Sequence, residues 1–322
     1  MRKIFRLTVV AIVCLFFTNP SWAQAKSFEI LNESVERGDV VVIKITPQWQ
    51  GPMVCVSVFD KQFIPNKYGY VFIGVDINTE PTGTSEKTEK YLVYLIECDR
   101  GVRLDWYYDE LEVRIKEFGI PWFVGPVRTP GKAVRERRIK DVALMHGAYD
   151  LANKNEDYTS GQFILPLNNI EVTDFFGTSR LYGRYNRKNK KITVDREVPH
   201  GGVDFRAKTP LPVMAVNSGK VLLTHYFPLK GTEGNLLVID HGSGILSLYM
   251  HLSQFRVKVG DWVERGQVVA LTGDTPKGVT YRRGKPVRWN TPAHLHFMFK
   301  IHGVNVDPLA FIETANKYLD KR

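Results

Sequence analysis

The chain has 322 residues, a length that accommodates two or three domains, and it carries a formal net charge of +10. It has only three cysteines, and a chain of this size buries enough surface to fold without a disulfide framework. The positive charge favours an acidic partner.

The first 23 residues have the pattern of a secretory signal peptide. Arg2, Lys3 and Arg6 precede an apolar run that ends in small residues and is too short for a membrane span. We expect cleavage after Ala23 or Ala25, which lowers the formal charge from +10 to +7 because residues 1–23 contain no acid. The mature protein is expected to be exported, to be periplasmic or associated with the cell envelope, and to have no transmembrane span.

An exported location narrows the choice of acidic partner. Exported proteins rarely meet nucleic acid, so no nucleic-acid ligand is expected. Cell-wall polymers and membrane surfaces carry carboxylates and phosphates, which suit an exported cation better.

Residues 27–118 are predicted to form an immunoglobulin-like β-sandwich. Strand-length runs such as DVVVIKI, MVCVSVF and EKYLVYLIEC alternate with breaks such as NTEPTGT. No polar cluster in this region resembles a catalytic site. The cysteines that remain after cleavage are Cys55 and Cys98. An oxidising compartment favours a disulfide between them, and two buried thiols are the alternative.

Residues 119–160 are predicted to form a linker with one short helical segment, because Pro and Gly punctuate the first half and 132–154 lacks β-alternation. The strand pattern returns over 161–316. There NLLVIDHGSGILSLYMHL indicates a hairpin around Gly242 and Gly244, and VKVGDWVERGQVVALTG indicates a strand–turn–strand unit. The fold class predicted from these patterns is mainly β.

Seven of the eight histidines lie between residues 200 and 302. His294 and His296 are two residues apart at the start of a predicted strand, where both rings point to the same face about 6.6 Å apart. The pair suits two metal ligands, or one ligand and one base, and spacing alone leaves both possibilities open. A solvent-facing polar pair would have the same pattern, so partners elsewhere are needed.

The segment PHGGVDF supplies partners for this pair. His200 and Asp204 would be about 13 Å apart in an extended strand, too far to share one ion comfortably. Gly201 and Gly202 allow the backbone to bend and bring the two side chains together. The segment is therefore suited to metal binding.

A catalytic zinc usually takes three protein ligands and leaves a fourth position open. His200, Asp204 and one of His294 or His296 supply such a set for one Zn²⁺ per chain. No Glu stands beside these residues, so the base would be the remaining histidine of the pair, aided by His251.

These motifs, in this order, resemble those of the M23 metallopeptidases, the lysostaphin or LytM type. The resemblance covers about residues 162–312 and is carried by HGGVDF, YMHL, VKVGDWVERGQVVALTG and HLHF. VTDFFGTSR resembles the start of the family's domain, with Arg180 one residue later than the family's arginine. The resemblance implies an antiparallel LytM-type β domain with a zinc-containing groove.

Carried over position by position, the resemblance implies that His200, Asp204 and His296 bind zinc. His251 and His294 would line the groove as base and transition-state stabiliser. The implied function is a zinc-dependent endopeptidase that hydrolyses peptide cross-links of bacterial peptidoglycan by attack of a metal-bound water. Its substrate would be stem peptides or cross-bridges, and a monomer is expected.

Two other functions fit parts of the pattern. A non-catalytic LytM-like regulator would bind murein and activate amidases, but the five filled site positions favour the enzyme. A lipoyl-type carrier would explain VGDWVERGQVVA, which resembles half of such a barrel. That hypothesis lacks an evident modified lysine at a hairpin tip and leaves the histidines unused.

Two basic loops flank the predicted ligands in sequence. RYNRKNKKITVDREVPH leads into the first ligand, and the segment before HLHF is longer than in related sequences and has no acid within 277–288. That segment contains Lys277, Arg282, Arg283, Lys285 and Arg288. We predict a basic rim on the cleft that attracts stem-peptide carboxylates or anionic wall polymers, with two solvated loops as the alternative.

Overall fold

The computed structural model describes residues 26–83, 90–125, 131–208, 210–229, 231–282 and 285–319. The predicted signal peptide therefore lies outside the described residues. Within them the protein is mainly β, as predicted, with two α-helices. No helix in these ranges is long and apolar enough to span a membrane.

The described residues up to position 118 form two sheets that share one core. Their orders are β1-β3-β6 and β2-β8-β7-β4-β5. The residues of β3 are almost all buried, without strand alternation, because both faces of this strand are covered. The strands are β1 (Phe28–Ile30), β2 (Ser34–Glu36), β3 (Val40–Ile45), β4 (Val54–Val58), β5 (Lys61–Phe63), β6 (Tyr70–Gly74), β7 (Tyr91–Glu97) and β8 (Arg103–Arg114), with a 3-10 helix at Pro47–Trp49.

The two faces of β3 and β6 contribute to two different cores. Val41, Ile43 and Ile73 point into the core of the sandwich. Val42 and Phe72 point the other way and join the core of the carboxy-terminal part. The sheet β1-β3-β6 therefore lies between the two cores, and the immunoglobulin-like topology itself stays a prediction.

Cys55 on β4 and Cys98 at the end of β7 form a disulfide, with 5.2 Å between their Cα atoms. The two strands are antiparallel neighbours, which brings the cysteines together although they are 43 residues apart in sequence. Of the two alternatives left open by the sequence, the structure has the disulfide.

The segment predicted as a linker contains strand β9 (Trp122–Gly125) and helix α1 (Lys132–Asp150). The helix was predicted and the strand was not. Ala148 is buried against the carboxy-terminal part, and Met145 and Tyr149 pack on the same cluster. β9 pairs in parallel with a strand of that part. Both elements are therefore packed, and the domain boundaries stay a prediction.

The carboxy-terminal part is built on an antiparallel sheet of order β10-β13-β23-β17-β16-β15-β19, with β24 on β23. Smaller sheets are β14-β20-β18, β12-β11-β9 and the hairpin β21-β22. The strands are β10 (Val172–Asp174), β11 (Ser179–Asn186), β12 (Lys191–Pro199), β13 (Val203–Arg206), β14 (Pro212–Met214), β15 (Gly219–Phe227), β16 (Gly234–Asp240), β17 (Ile245–Leu252), β18 (Gln254–Phe255), β19 (Trp262–Val263), β20 (Val268–Leu271), β21 (Lys277–Arg282), β22 (Lys285–Asn290), β23 (His294–Ile301) and β24 (Val304–Val306), followed by helix α2 (Pro308–Leu319).

Two predicted units of this part are present. β16 and β17 form the hairpin, and Gly242 and Gly244 in its turn have positive φ angles of 75° and 71°, which glycine adopts without a steric cost. The strand–turn–strand unit corresponds to β19 and β20. Those two strands lie in different sheets, since β19 pairs with β15 and β20 with β14 and β18.

Candidate metal centre

Two neighbouring strands and the residue that follows a third bring the predicted ligands together. His294 and His296 lie on β23, between β13 and β17 in the sheet. Asp204 on β13 is directly opposite His296, and Arg206 is opposite His294. His200 lies one residue after β12 and approaches the same point. The alternation of a strand puts both histidines of the pair on one face, as the sequence predicts.

The three predicted metal ligands converge on one point. His200 Nε2 and His296 Nδ1 are 2.9 Å apart. Asp204 Oδ1 lies 3.2 Å from the first nitrogen and 2.6 Å from the second. The side chains are enclosed, with 1% of His200 and 12% of each of the other two exposed. The structure thus brings these residues within reach of a single ion.

The glycines between His200 and Asp204 allow a close approach of two chain segments. The backbone bends at Gly202, as predicted. A Cβ atom on Gly202 would lie 2.4 Å from the carbonyl oxygen of Phe297, and one on Gly201 would lie 3.0 Å from Asn305 Nδ2. Glycine therefore serves here mainly to let this segment lie against β23.

A layer of hydrogen bonds orients the ligands. His200 Nδ1 lies 2.9 Å from the carbonyl oxygen of Phe175 and 3.2 Å from Asp174 Oδ2. Donation from Nδ1–H to that carbonyl leaves the Nε2 lone pair facing the centre. Arg180 Nη2 binds Asp174 Oδ2 at 2.7 Å and Asp204 Oδ2 at 3.2 Å. The second contact leaves Asp204 Oδ1 free to face the histidines.

The charge state of the cluster follows from these contacts. Burial raises the pKa of Asp204, but its close contacts with His200 and His296 outweigh that effect and hold the pKa well below its usual range. Burial lowers the pKa of His296, against an opposing hydrogen bond with Asp204. An ionised carboxylate and neutral imidazoles are the protonation states that metal ligands require.

His251 and His294 lie beside the three ligands, with their ring centroids 4.5 Å apart. His251 Nδ1 lies 2.7 Å from the Thr275 carbonyl oxygen, and His294 Nδ1 lies 2.7 Å from that of Pro292. Each Nδ1–H donates to its carbonyl, and in a neutral ring this leaves Nε2 as an acceptor. Burial lowers the pKa of His251 to about 3, which keeps its ring neutral.

The backbone of His251 has a φ of 62°, in the left-handed region that residues with a side chain rarely adopt. Its N–H donates to the Glu233 carbonyl oxygen at 2.9 Å. Together with the side-chain bond to Thr275, this contact fixes a strained residue at the edge of the centre, a common feature of functional sites.

A cavity of about 570 Å³ opens onto this cluster. Its floor contains Asp204 and His296, and His251 and His294 stand at its side. One wall holds Arg180, Tyr182 and Trp122, and Glu233 stands elsewhere on the lining. The cavity is large enough for several residues of an extended polymer.

The two predicted basic loops are the hairpins β11-β12 and β21-β22, and one end of each lies at the cleft. Arg180, near the start of β11, and Thr291, just after β22, both line the cavity. On β21-β22, Lys277 is paired with Asp274 at 3.1 Å. Further basic side chains on the two hairpins are exposed, among them Lys285 and Arg288 on β21-β22 and Arg187, Lys188, Lys190 and Lys191 at the tip of β11-β12. Arg283 and the side chain of Arg282 lie outside what the structure describes.

The donor set of the cluster suits a zinc ion. Two imidazole lone pairs and one carboxylate oxygen face one another at 2.6–3.2 Å, an arrangement that a shared cation stabilises. The outer hydrogen bonds of His200 and Asp204 match the supporting contacts that metal ligands usually make.

Sequence reasoning missed two residues of this site. Asp174 contacts both His200 and Arg180, and Trp122 lines the cleft from the segment predicted as a linker. Asp174 stands within the VTDFFGTSR segment, where a carboxylate six residues before an arginine was an available signal. Trp122 is 78 residues before His200 in a region with no motif, so its position depends on the tertiary fold.

Comparisons with known proteins find similarity to peptidases of family M23. Residues 198–308 match peptidase family M23. The peptidoglycan DD-endopeptidase ShyB of Vibrio cholerae is 35% identical over 125 residues, which cover 39% of this chain and 26% of ShyB. Lysostaphin of Staphylococcus staphylolyticus is 32% identical over 121 residues, which cover 36% of this chain and 22% of lysostaphin. The chain thus spans about a quarter of the length of these curated relatives.

A solved structure shares the fold over most of the chain. It is a peptidase M23 crystal structure from Pseudomonas aeruginosa, with a TM-score of 0.58 and 21% sequence identity. The similarity covers 86% of this chain and 94% of that one. The shared fold therefore extends beyond the carboxy-terminal part into the amino-terminal sheets.

Proposed function

We propose, on the premise that residues 198–308 match peptidase family M23, that the chain is a zinc-dependent endopeptidase acting on peptide cross-links of peptidoglycan. The observation that carries the proposal is the convergence of His200 Nε2, Asp204 Oδ1 and His296 Nδ1 at the floor of an open cleft. The predicted signal peptide supports an exported location, where this substrate is found.

His200, Asp204 and His296 would hold the ion, which when bound supplies Lewis-acid chemistry that lowers the pKa of water and polarises a carbonyl. The side chains of the chain itself orient and move protons. His251, kept neutral by burial, accepts a hydrogen bond at Nε2 and orients the attacking water.

His294 is the better placed of the two flanking histidines to take the proton. Its Nε2 lies 3.7 Å from Asp204 Oδ1, and 17% of its side chain is exposed to the cleft. After it accepts the proton from water, its Nε2–H donates to the oxyanion of the tetrahedral intermediate and then passes the proton to the leaving amine.

The test is zinc content together with the release of soluble muropeptides from purified sacculi. We expect about one zinc per chain in the purified protein, and we expect His296→Ala to lose the zinc and to lower release by more than about a hundredfold, beyond the loss typical of supporting residues. His146→Ala, which removes an exposed histidine on α1, is the matched control and should change neither measurement.

Two results would contradict the proposal. One is no muropeptide release by the wild-type chain with zinc added, and the other is unchanged release by His296→Ala. A wild-type chain that binds sacculi and stimulates an amidase, without releasing muropeptides itself, would instead support the regulator hypothesis.

The two basic hairpins support a further part of this proposal, a rim that attracts anionic groups of the cell wall. Their exposed Lys and Arg side chains lie on chain segments that border the cleft. We expect binding to sacculi to weaken as salt rises, because the interactions of exposed charges are screened over about 8 Å at physiological ionic strength. Binding that does not change with salt would contradict the rim and leave the hydrolysis proposal intact.

A further inference from the structure

The sheet β12-β11-β9 forms one wall of the cleft. β11 and β12 pair along their whole length, and β9 pairs in parallel with β11, with Trp122 opposite Arg180. All three strands except the last residues of β12 precede residue 198, where the M23 match begins. This wall is therefore supplied mainly by chain outside the matched segment.

The cleft side of this sheet carries aromatic rings and guanidinium groups. Trp122, Arg180 and Tyr182 line the cavity, and Trp122 is 50% exposed. Arg196 is directly opposite Tyr182 on β12, and its guanidinium carbon lies 5.9 Å from the centroid of the Tyr182 ring. Directly opposite residues of a ladder share a face, so Arg196 lies on the same side as Tyr182.

This combination of groups matches the chemistry of a sugar chain. The apolar face of a sugar ring packs on an aromatic ring, and an arginine donates hydrogen bonds to hydroxyl and carbonyl oxygens. Trp122 and Tyr182 supply the rings, and exposed Arg196 supplies the hydrogen-bond donors.

The position of the wall indicates which part of the substrate reaches it. The metal centre is on the floor of the cleft, where a peptide must lie to be cut, whereas the aromatic wall rises to one side. The group at the wall is then the polymer to which the peptide is attached.

Resting on the proposed function, we propose that Trp122, Tyr182 and Arg196 form a subsite for the glycan strand of peptidoglycan. The aromatic side chains bind sugar rings, and Arg196 donates hydrogen bonds to oxygen atoms of the strand. The subsite holds the glycan while the attached peptide lies across the metal centre.

The first test is binding of the full chain to glycan strands from which an amidase has removed the stem peptides. We expect Trp122→Ala and Arg196→Gln each to weaken this binding by roughly tenfold, the size of a substantial interface residue. Tyr185→Ala is the matched control. Tyr185 is also 50% exposed and lies on β11 three residues from Tyr182, so it points to the opposite face.

The second test separates the subsite from the chemistry. Arg196→Gln, which changes a residue that does not line the cavity, should lower the hydrolysis of intact sacculi by roughly tenfold and should cleave a sugar-free cross-linked peptide within about twofold of the wild-type rate. A wild-type chain that cleaves neither substrate but binds glycan strands through Trp122 would contradict the proposed function and keep the subsite.

Three binding results would overturn the subsite. Trp122→Ala could bind glycan strands as well as the wild type, or Tyr185→Ala could lose as much binding as Trp122→Ala. A polyphosphate polymer could also compete as strongly as the glycan strands, which would make the wall a general anion-binding surface. In the activity assay, an equal loss by Arg196→Gln on sacculi and on the sugar-free peptide would overturn it as well, because the substitution would then have changed the cleft itself.

Discussion

Arg180 forms ion pairs with two carboxylates of the candidate metal centre. Its guanidinium binds Asp174 and Asp204, and so fixes which oxygen of Asp204 faces the histidines. Removing Arg180 would take away the positive charge that balances the enclosed carboxylates of Asp174 and Asp204. It would also allow the Asp204 carboxylate to rotate. On a bound metal the residue would therefore act through the orientation of Asp204, one of the proposed ligands.

We expect Arg180→Gln to weaken zinc binding by about 10- to 100-fold, the usual cost of losing a supporting contact. The measurement is competition for zinc against a chelator of known affinity. Arg184→Gln, on the same strand and 3.8 Å from Asp195, is the control and should bind zinc normally. Equal zinc affinity in Arg180→Gln and the wild type would show that Asp204 is oriented without this arginine.

The grouping of His200, Asp204 and His296 was accessible to sequence reasoning because each of them stands in a short motif. In HGGVDF the histidine and the aspartate are four residues apart, and in HLHF the two histidines are two residues apart. The alternation of a strand then puts the two histidines of HLHF on one face. The support from Asp174 and the placement of Trp122 were not accessible, because both depend on which strands become neighbours. β9 in particular joins β11 from 58 residues away, counted between Trp122 and Arg180, and no local pattern specifies that pairing.

At the scale of an element, the β16-β17 turn places a histidine inside the core. His241 is fully buried, with Nδ1 2.8 Å from the Ser218 carbonyl oxygen and Nε2 2.8 Å from Ser247 Oγ. The sequence indicated only a turn at this position. Burial lowers the pKa of His241 to about 4, so the folded state keeps the ring neutral where the unfolded chain would protonate it.

This burial predicts that stability falls in weak acid. Between about pH 6.5 and pH 4 the unfolded state binds the proton of His241 and the folded state does not, so the free energy of unfolding decreases as the pH falls. The loss from this group reaches about 3 kcal/mol at pH 4. Half-buried His302, with a pKa also lowered to about 4, adds to the same trend.

Urea unfolding of the wild type and of His241→Gln across this pH range measures the effect. The variant should be less stable at pH 7 and should lose less stability on acidification. His146→Gln, which removes an exposed imidazole, should follow the wild-type curve. Parallel curves for His241→Gln and the wild type would show that His241 does not cause the acid sensitivity.

At the scale of the whole molecule, a shared core couples the amino-terminal part to the metal centre. Val42 and Phe72 pack into the cluster that contains Phe297 and Phe299 of β23, the strand that also carries the two histidines of the HLHF motif. At Gly74 a Cβ atom would lie 2.9 Å from a side-chain atom of Val306, so the backbone of β6 lies close against β24. We expect the two parts to unfold as one cooperative unit.

Calorimetry of Phe72→Ala and Ile73→Ala tests this coupling. Phe72 contributes to the shared core and Ile73 only to the sandwich core, and both are almost fully buried. Removing either side chain should cost about 2–5 kcal/mol. If the molecule unfolds as a unit, each variant shows a single transition at a lower temperature, and zinc raises the midpoint of both. Ile73→Ala could instead show two transitions, one at a lower temperature and one at the wild-type temperature that zinc raises. In that case the two parts unfold independently, and the shared core does not couple their stabilities.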